Sequence, residues 1–406
     1  MPAPRRAAVV FIFVTVLLDV MALGLILPVL PRLVIEFSGD DAVVAAEVYG
    51  LFGLAWAAMQ FLFSPLLGAL SDRFGRRPVL LVSVFGLGLD YVLMALAPNL
   101  GWLLAGRILA GITAASFSTA AAYVADVTRP EDRASGFGML GAAFGLGFVL
   151  GPAVGGLLGG LDPRLPFWVA AGLAFANGLY GLFVLPESLP RERRTPRLVW
   201  ARANPVGALR LLGRQRSLAS LATVSVLFFL AHEVLPSVWV LHGTHRYGWD
   251  EATVGLSLAA TGVCGMVVQG LLVKPVVRRV GERAALLVGL VFGIAGFVLF
   301  AAATTGAMVW AAIPVFALWG LYGPASQSLM SRRVEPSEQG QLQGALTALR
   351  GLTGLVGPVL FTGVFARAVE GSWGLSAGAP YALAAIVLGV ALPIAVAATR
   401  TGGDRR

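Results

Sequence analysis

Twelve long apolar runs decide what this chain can fold into. They lie near 7–30, 47–68, 78–97, 100–124, 134–159, 165–185, 217–241, 252–273, 284–303, 307–330, 341–365 and 378–399. Each has about twenty residues or more, the length a helix needs to cross ~30 Å of hydrocarbon. None alternates in polarity as a barrel strand would, so the spanning elements are helices. Composition agrees: 57% of the 406 residues are apolar and 13% are charged, against about 25% charged in a soluble domain. The fold expected is an all-α membrane protein with twelve transmembrane helices. The first run follows Arg5 and Arg6 and is too long for the core of a signal peptide; it reads as span 1.

A net charge of +9 would suggest nucleic acid in a soluble protein, but here the basic residues sort by membrane side. One side takes Arg5 and Arg6, then Arg73, Arg76 and Arg77 of the 2–3 loop, then Arg129 and Arg133. To these it adds eight arginines between Arg191 and Arg216, four basic residues from Lys274 to Arg283, Arg332, Arg333 and three C-terminal arginines. Twenty-four of the thirty basic residues thus fall on one side. Four, Arg32, Arg164, Arg246 and Arg367, fall on the other. The positive-inside rule then places both termini and the central loop in the cytoplasm.

The two halves of the sequence repeat at an offset of 206. Gly151-Pro152 maps to Gly357-Pro358, Gly75 to Gly281, Pro130 to Pro336, Gly138 to Gly344 and Gly145 to Gly351. The domain reading is a six-helix bundle over 1–185, a basic linker over 186–216 and a second bundle over 217–406. Parallel repeats of this kind describe a transporter with its site between the halves.

The 2–3 loop reads Gly68-Ala-Leu-Ser71-Asp72-Arg73-Phe74-Gly75-Arg76-Arg77-Pro78. Gly68 would let two backbones approach, Gly75 would take a positive φ in a tight turn, and Pro78 suits the start of a helix. Asp72 among arginines forms a charge cluster, although a plain basic loop accounts for the same residues. Span 5 carries Gly147, Gly151, Pro152, Gly155 and Gly156, with Gly138, Gly141 and Gly145 upstream, a smooth stripe for close helix contact.

Ionisable residues inside spans are costly, roughly 2.5–3.5 kcal/mol for a central Asp or Arg on insertion scales. They are Asp19, Asp90, Arg107, His232, Glu233 and Arg350. Asp90 and Arg107 share a depth and are placed to pair. Asp19 has no partner nearby in sequence. Glu233 is the only acid in the membrane portion of the second half, and Arg350 stands where Phe144 stands in the first. Cys264 is the single cysteine, and His232, His242 and His245 lack metal-binding spacing. No metal or organic cofactor is expected, and a lone central carboxylate such as Asp19 could load and release a proton.

The 2–3 loop resembles the GxLSDRFGRRPxLL loop of the major facilitator superfamily's drug/proton antiporters. That resemblance implies a cytoplasmic gate in which Asp72, Arg73 and Arg77 hold the outward-open state, aided by Asp126. Span 5 resembles the antiporter signature GxxxGPxxGG, which implies export, and Gly106-Arg107 through Gly111 implies that Arg107 acts in proton coupling. Over almost its whole length the chain is similar to the tetracycline/proton antiporters. The residues that carry this are Leu18-Asp19 through Gly24, Pro28 and Pro31, Leu89-Asp90-Tyr91, Ala125-Asp126-Val-Thr128 and Val238-Trp239. The family pattern implies that Asp19, Asp90, Arg107 and Asp126 matter for coupling, and Gln60, Asn177 and Gln269 for the cavity. It also implies a monomer in the bacterial inner membrane, acting on a small molecule.

One departure stands out. Tetracycline pumps carry an acid in span 9 and a histidine in span 8, and the corresponding positions here are Gly293 and Gly265. Either Glu233, with or without His232, takes over the proton, or the substrate differs from a magnesium–tetracycline chelate. The expected function is proton-coupled export of a hydrophobic or amphipathic drug. Its rivals are a proton-coupled importer on the same fold, a membrane enzyme, for which no nucleophile–base constellation is visible, and a non-transporting sensor.

Overall fold

The computed structural model describes residues 3–114, 116–128, 133–194, 212–213, 216–334, 339–371 and 376–400. Most of the 186–216 linker, Arg129, Pro130 and Pro336 therefore lie outside the described residues. Within them the chain is helical throughout its apolar runs, and ten continuous helical stretches are long and apolar enough to cross a bilayer. One stretch, Glu251–Ala302, has 52 residues and contains two crossings. It folds at Gly281, whose φ of 80° and ψ of 164° no helix can continue through. Span 4 adds the twelfth crossing in two pieces, Leu100–Thr113 and Ser116–Val127, the first ending at Ala114 with a ψ of 53°.

The remaining crossings match the sequence reading closely. Span 1 is Ala3–Ile26, extended by a short helix Leu30–Phe37. Span 2 is Ala42–Phe74, span 3 Arg76–Ala95, span 5 Arg133–Leu161 and span 6 Leu165–Val184. In the second half, span 7 is Arg216–His232 and Val234–Tyr247, interrupted at Glu233. Span 8 begins as Glu251–Val267 and passes through a π-helical turn at Val268–Leu272. Span 10 contains a 3-10 turn at Leu318–Leu321. Spans 11 and 12 are Gln339–Glu370 and Ala379–Arg400.

The described residues fall into two compact units. One is drawn from Met1–Gly39, Ala55–Ala203 and Asp250–Ala259, the other from Asp40–Leu54, Asn204–Trp249 and Ala260–Arg406. Span 2 and span 8 thus each divide between units. In the first unit, span 1 packs on spans 5 and 6, and span 3 on spans 6 and 4. Its core includes Phe11, Ile12, Val16, Val84, Tyr123 and Leu140. In the second, span 7 packs on spans 11 and 12, and span 9 on spans 10 and 12.

The 206-residue repeat is visible in the turns. Gly75 has φ 110° and Gly281 has φ 80°, so each repeat folds its second helix back on a residue in the left-handed half of backbone space. Their surroundings differ. A Cβ at Gly75 would collide with the Glu187 carboxylate, whereas one at Gly281 would meet nothing within 4 Å. Gly75→Ala is therefore expected to destabilise more than Gly281→Ala, which costs only the backbone strain of about 1–3 kcal/mol. Thermal unfolding of the two purified variants checks that order, and equal losses would refute it.

Candidate functional site

At the Gly75 end of the first unit, Arg76 is the hub of a charge network. Its Nη1 donates to Asp72 Oδ1 at 2.5 Å and to Ser71 Oγ at 3.2 Å, and its Nε donates to Asp126 Oδ2 at 3.0 Å. Arg77 instead donates to the Leu182 carbonyl, and Arg73 lies over the Phe74 ring. The cluster expected around Asp72, Arg73 and Arg77 thus closes through Arg76, because the turn at Gly75 sends the arginines in three directions. Among the described residues Gly68 makes no close approach: a Cβ there would meet nothing within 4 Å.

Two residues without an assigned role complete this network. Glu187 accepts the backbone N–H groups of Arg76 (2.8 Å) and Arg77 (3.3 Å), which are unsatisfied donors at the start of span 3. It also faces Arg194 at 3.7 Å. Ser188 Oγ donates to Asp126. The only signal in the sequence was an acid just past span 6, ahead of the arginine-rich linker.

The span 5 stripe serves two neighbours. Gly147, Gly151 and Gly155 lie against span 1: Cβ atoms there would strike the Leu17 carbonyl, Gly24 Cα and the Leu25 backbone. Gly156 and the Pro152 carbonyl instead receive Gly255 and the Glu251 backbone at the start of span 8. Among the described residues Gly138 and Gly141 meet nothing within 4 Å, unlike Gly147, Gly151 and Gly155. Glu251 also pairs with Arg32 of the short helix after span 1. Beside it, hydrogen bonds from Thr253 cap the first turn and hold the exposed Asp250 carboxyl below its usual range.

Deeper in the first unit, Asp90 and Arg107 form the expected pair: Arg107 Nη2 donates to Asp90 Oδ2 at 3.1 Å, with Asp90 fully buried. Arg107 also reaches Met94 Sδ at 3.0 Å. The approach requires Gly106, where a Cβ would lie 2.6 Å from Asp90 Oδ1. Asp19 gains a partner from span 6: Asn177 Nδ2 donates to Asp19 Oδ1 at 3.0 Å and to the Thr15 carbonyl at 3.2 Å. Asn177, expected to face a cavity, is buried in this contact at 2% exposure. Gln60 is half-buried on span 2.

In the second unit, the candidate residues gather at interruptions of helices. Glu233 sits at the break in span 7, its side-chain stem against Gly357 of span 11. Arg350, exposed, acts electrostatically on both Glu233 and His232. His232 lies beside Trp319 in the 3-10 turn of span 10, with ring centroids 5.6 Å apart. Gln269 is exposed on the π turn of span 8, which packs on that same turn.

Trp319 explains why position 293 is a glycine. A Cβ at Gly293 would lie 2.7 Å from indole Cδ1 and 2.9 Å from Nε1, so the indole holds the space an acidic side chain would need. Gly265 faces open space. Among the described residues no group of three or more His, Cys, Asp or Glu is arranged to hold a metal.

The model of the Major Facilitator Superfamily matches residues 12–358. The class C tetracycline resistance protein of Escherichia coli is 43% identical over 364 residues, covering 89% of this chain and 91% of that protein. The class G protein of Vibrio anguillarum is 40% identical, covering 96% and 97%. Among solved structures, the human organic anion transporter MFSD10 aligns with a TM-score of 0.72 at 25% identity, over 97% of this chain and 100% of that one. A bacterial homologue of the human lysosomal transporter Spinster aligns with a TM-score of 0.76 at 18% identity, over 99% and 98%.

The Arg32–Glu251 pair yields a charge-swap test. Arg32→Glu and Glu251→Arg are each expected to cost about 0.5–1 kcal/mol in unfolding, because Arg32 is half exposed to solvent. The double swap should recover most of the loss, and strictly additive losses would show that the two side chains do not couple.

Proposed function

The chain belongs to the major facilitator superfamily, and on that footing we propose that it exports an amphipathic drug, tetracycline among the candidates, in exchange for protons by alternating access. The observation that carries the reading is the pair of partnered acids inside the first unit, Asp90 fully buried and Asp19 half-buried, in a chain so similar to tetracycline resistance proteins. Asp19 is held by Asn177 and Asp90 by Arg107. A carboxylate in hydrocarbon is stable only when paired or protonated, so each acid has two states that differ by one proton. Protonating Asp90 removes the charge that Arg107 answers, which loosens spans 3 and 4 from one another. The membrane potential adds ~2.3 kcal/mol per charge per 100 mV, enough to bias such an equilibrium with a single proton.

In the second half, Glu233 is the proposed proton carrier, with His232 and Arg350 beside it. Trp319 occupies the space at Gly293, which supports relocation of the acid to span 7. Gln60, Gln269 and Arg350 are the proposed substrate contacts. The Asp72, Arg76 and Asp126 network, with Gly68, Gly75, Arg73 and Arg77 around it, is the proposed cytoplasmic gate, in a monomer with both termini in the cytoplasm. The proton is the only coupling species in this reading, and no organic cofactor enters it.

Proton-gradient-driven uptake of tetracycline into inverted vesicles tests the reading, with and without magnesium. Asp19→Asn and Glu233→Gln are each expected to lower uptake by about a hundredfold, in the range of lost acid–base function. Native protein that is folded but takes up no tetracycline would remove that drug. Uptake that survives Glu233→Gln would remove Glu233 as the carrier.

A further inference from the structure

The buried polar atoms of the first unit do not end at the two pairs. Among the described residues, Thr15 Oγ1, Asn177 Oδ1, the Tyr91 hydroxyl, Asp90 Oδ1 and Arg107 Nε are all buried without a hydrogen-bond partner. Their residues are 1%, 2%, 1%, 0% and 7% exposed. A buried polar group left unsatisfied costs about 1–3 kcal/mol, and native interiors answer such groups with ordered water, typically through three hydrogen bonds each. All five belong to the residues around Asp19, Asp90 and Arg107 in the first unit.

Helix geometry says how they connect. Asp90 turns toward span 4, where Gly106 and Arg107 meet it. Tyr91 follows it by about 100° around span 3. That turn puts it on the face of Gly88, three residues back, which packs on Phe175 of span 6. Span 6 also carries Asn177, which grips Asp19. Tyr91 stands within electrostatic range of Asp19, Asp90 and Arg107 together. These three are the charged groups that face it from spans 1, 3 and 4, and span 6 offers the neutral Asn177.

We propose that the Tyr91 hydroxyl and a short strip of buried water form a proton relay joining Asp19 to Asp90. The transfer balances without any other reactant. Protonated Asp19 gives its proton to the water strip, and Tyr91 accepts a proton on its oxygen side while releasing its own toward the Asp90 carboxylate. Tyrosine and water end unchanged, one proton has moved, and Arg107 is released from its partner. Asn177 and Thr15 line the Asp19 end. Tyr91 is a relay residue, enclosed at 1% exposure. The inference rests on proton-coupled transport as proposed above, but it concerns the connection between the acids and holds for any substrate.

Tyr91→Phe removes the hydroxyl and keeps the ring. In proteoliposomes of the full chain with tetracycline as the probe, gradient-free counterflow should stay within about twofold of native. Uptake driven by a pH gradient should fall about tenfold or more. Equal loss in both assays would mean a structural role and would overturn the relay, as would undiminished gradient-driven uptake. Should the native protein carry no tetracycline, only the substrate assignment falls, and the relay is read without substrate. For that, time-resolved infrared spectroscopy after a pH drop follows the protonated carboxyl bands, assigned through Asp19→Asn and Asp90→Asn. Protonation of Asp90 is expected to slow about tenfold or more in Tyr91→Phe, and an unchanged rate would overturn the proposal. Thr15→Val, a nearly isosteric loss of one wall hydroxyl, provides a second variant in which slowing is expected and an unchanged rate counts against the relay.

Discussion

Hydrocarbon offers a buried charge nothing to bond with, and most of what is distinctive in this molecule answers that lack. Asp90 is fully enclosed yet ionisable, and it is met by Arg107 across two helices whose approach depends on Gly106. Asp19 is met by an amide from span 6 rather than by a cation. The two solutions differ in consequence. An ion pair in a medium of low dielectric is strong and holds one geometry, whereas an amide partner tolerates either protonation state.

The same lack of water governs the backbone. Helices that must break inside a membrane expose amides and carbonyls, so breaks are confined to places where other groups or a cavity can answer them. The second unit breaks its helices at Glu233, at Val268–Leu272 and at Leu318–Leu321, and the π turn packs directly on the 3-10 turn. His232, Trp319, Gln269 and Glu233 all sit on or beside these interruptions. Irregular turns at a shared location are a common mark of function in helical membrane proteins.

Close packing without side chains is the third device. Along span 5, glycine at 147, 151 and 155 admits span 1, and Gly156 with the Pro152 carbonyl admits the start of span 8. Lipid supplies little drive for helices to associate, so contact has to come from shape and dispersion at short range. Gly357 and Pro358 repeat the arrangement in the second unit, against Glu233 and Gly53. The motif therefore builds a fitted seam in each repeat, and in the second repeat that seam also positions the proposed proton carrier.

Much of this was legible before any coordinates. Run length and polarity determine the number of crossings, the arginine distribution sets an expected orientation, and the spacing of Asp90 and Arg107 foretells their pairing, because each depends on local chemistry and on helix rise. What only the tertiary structure decided depends on which helices become neighbours. Arg76 rather than Arg73 or Arg77 carries the ion pairs, since the positive-φ turn at Gly75 parts Arg73 on span 2 from Arg76 and Arg77, which leave span 3 about 100° apart. Glu187 caps span 3 from more than a hundred residues away. Asn177 turns to Asp19, and Trp319 fills the place beside Gly293. Periodicity in a sequence reports which face of a helix is buried, but the partner on that face is chosen by packing between segments distant in the chain, and that choice has no local signature.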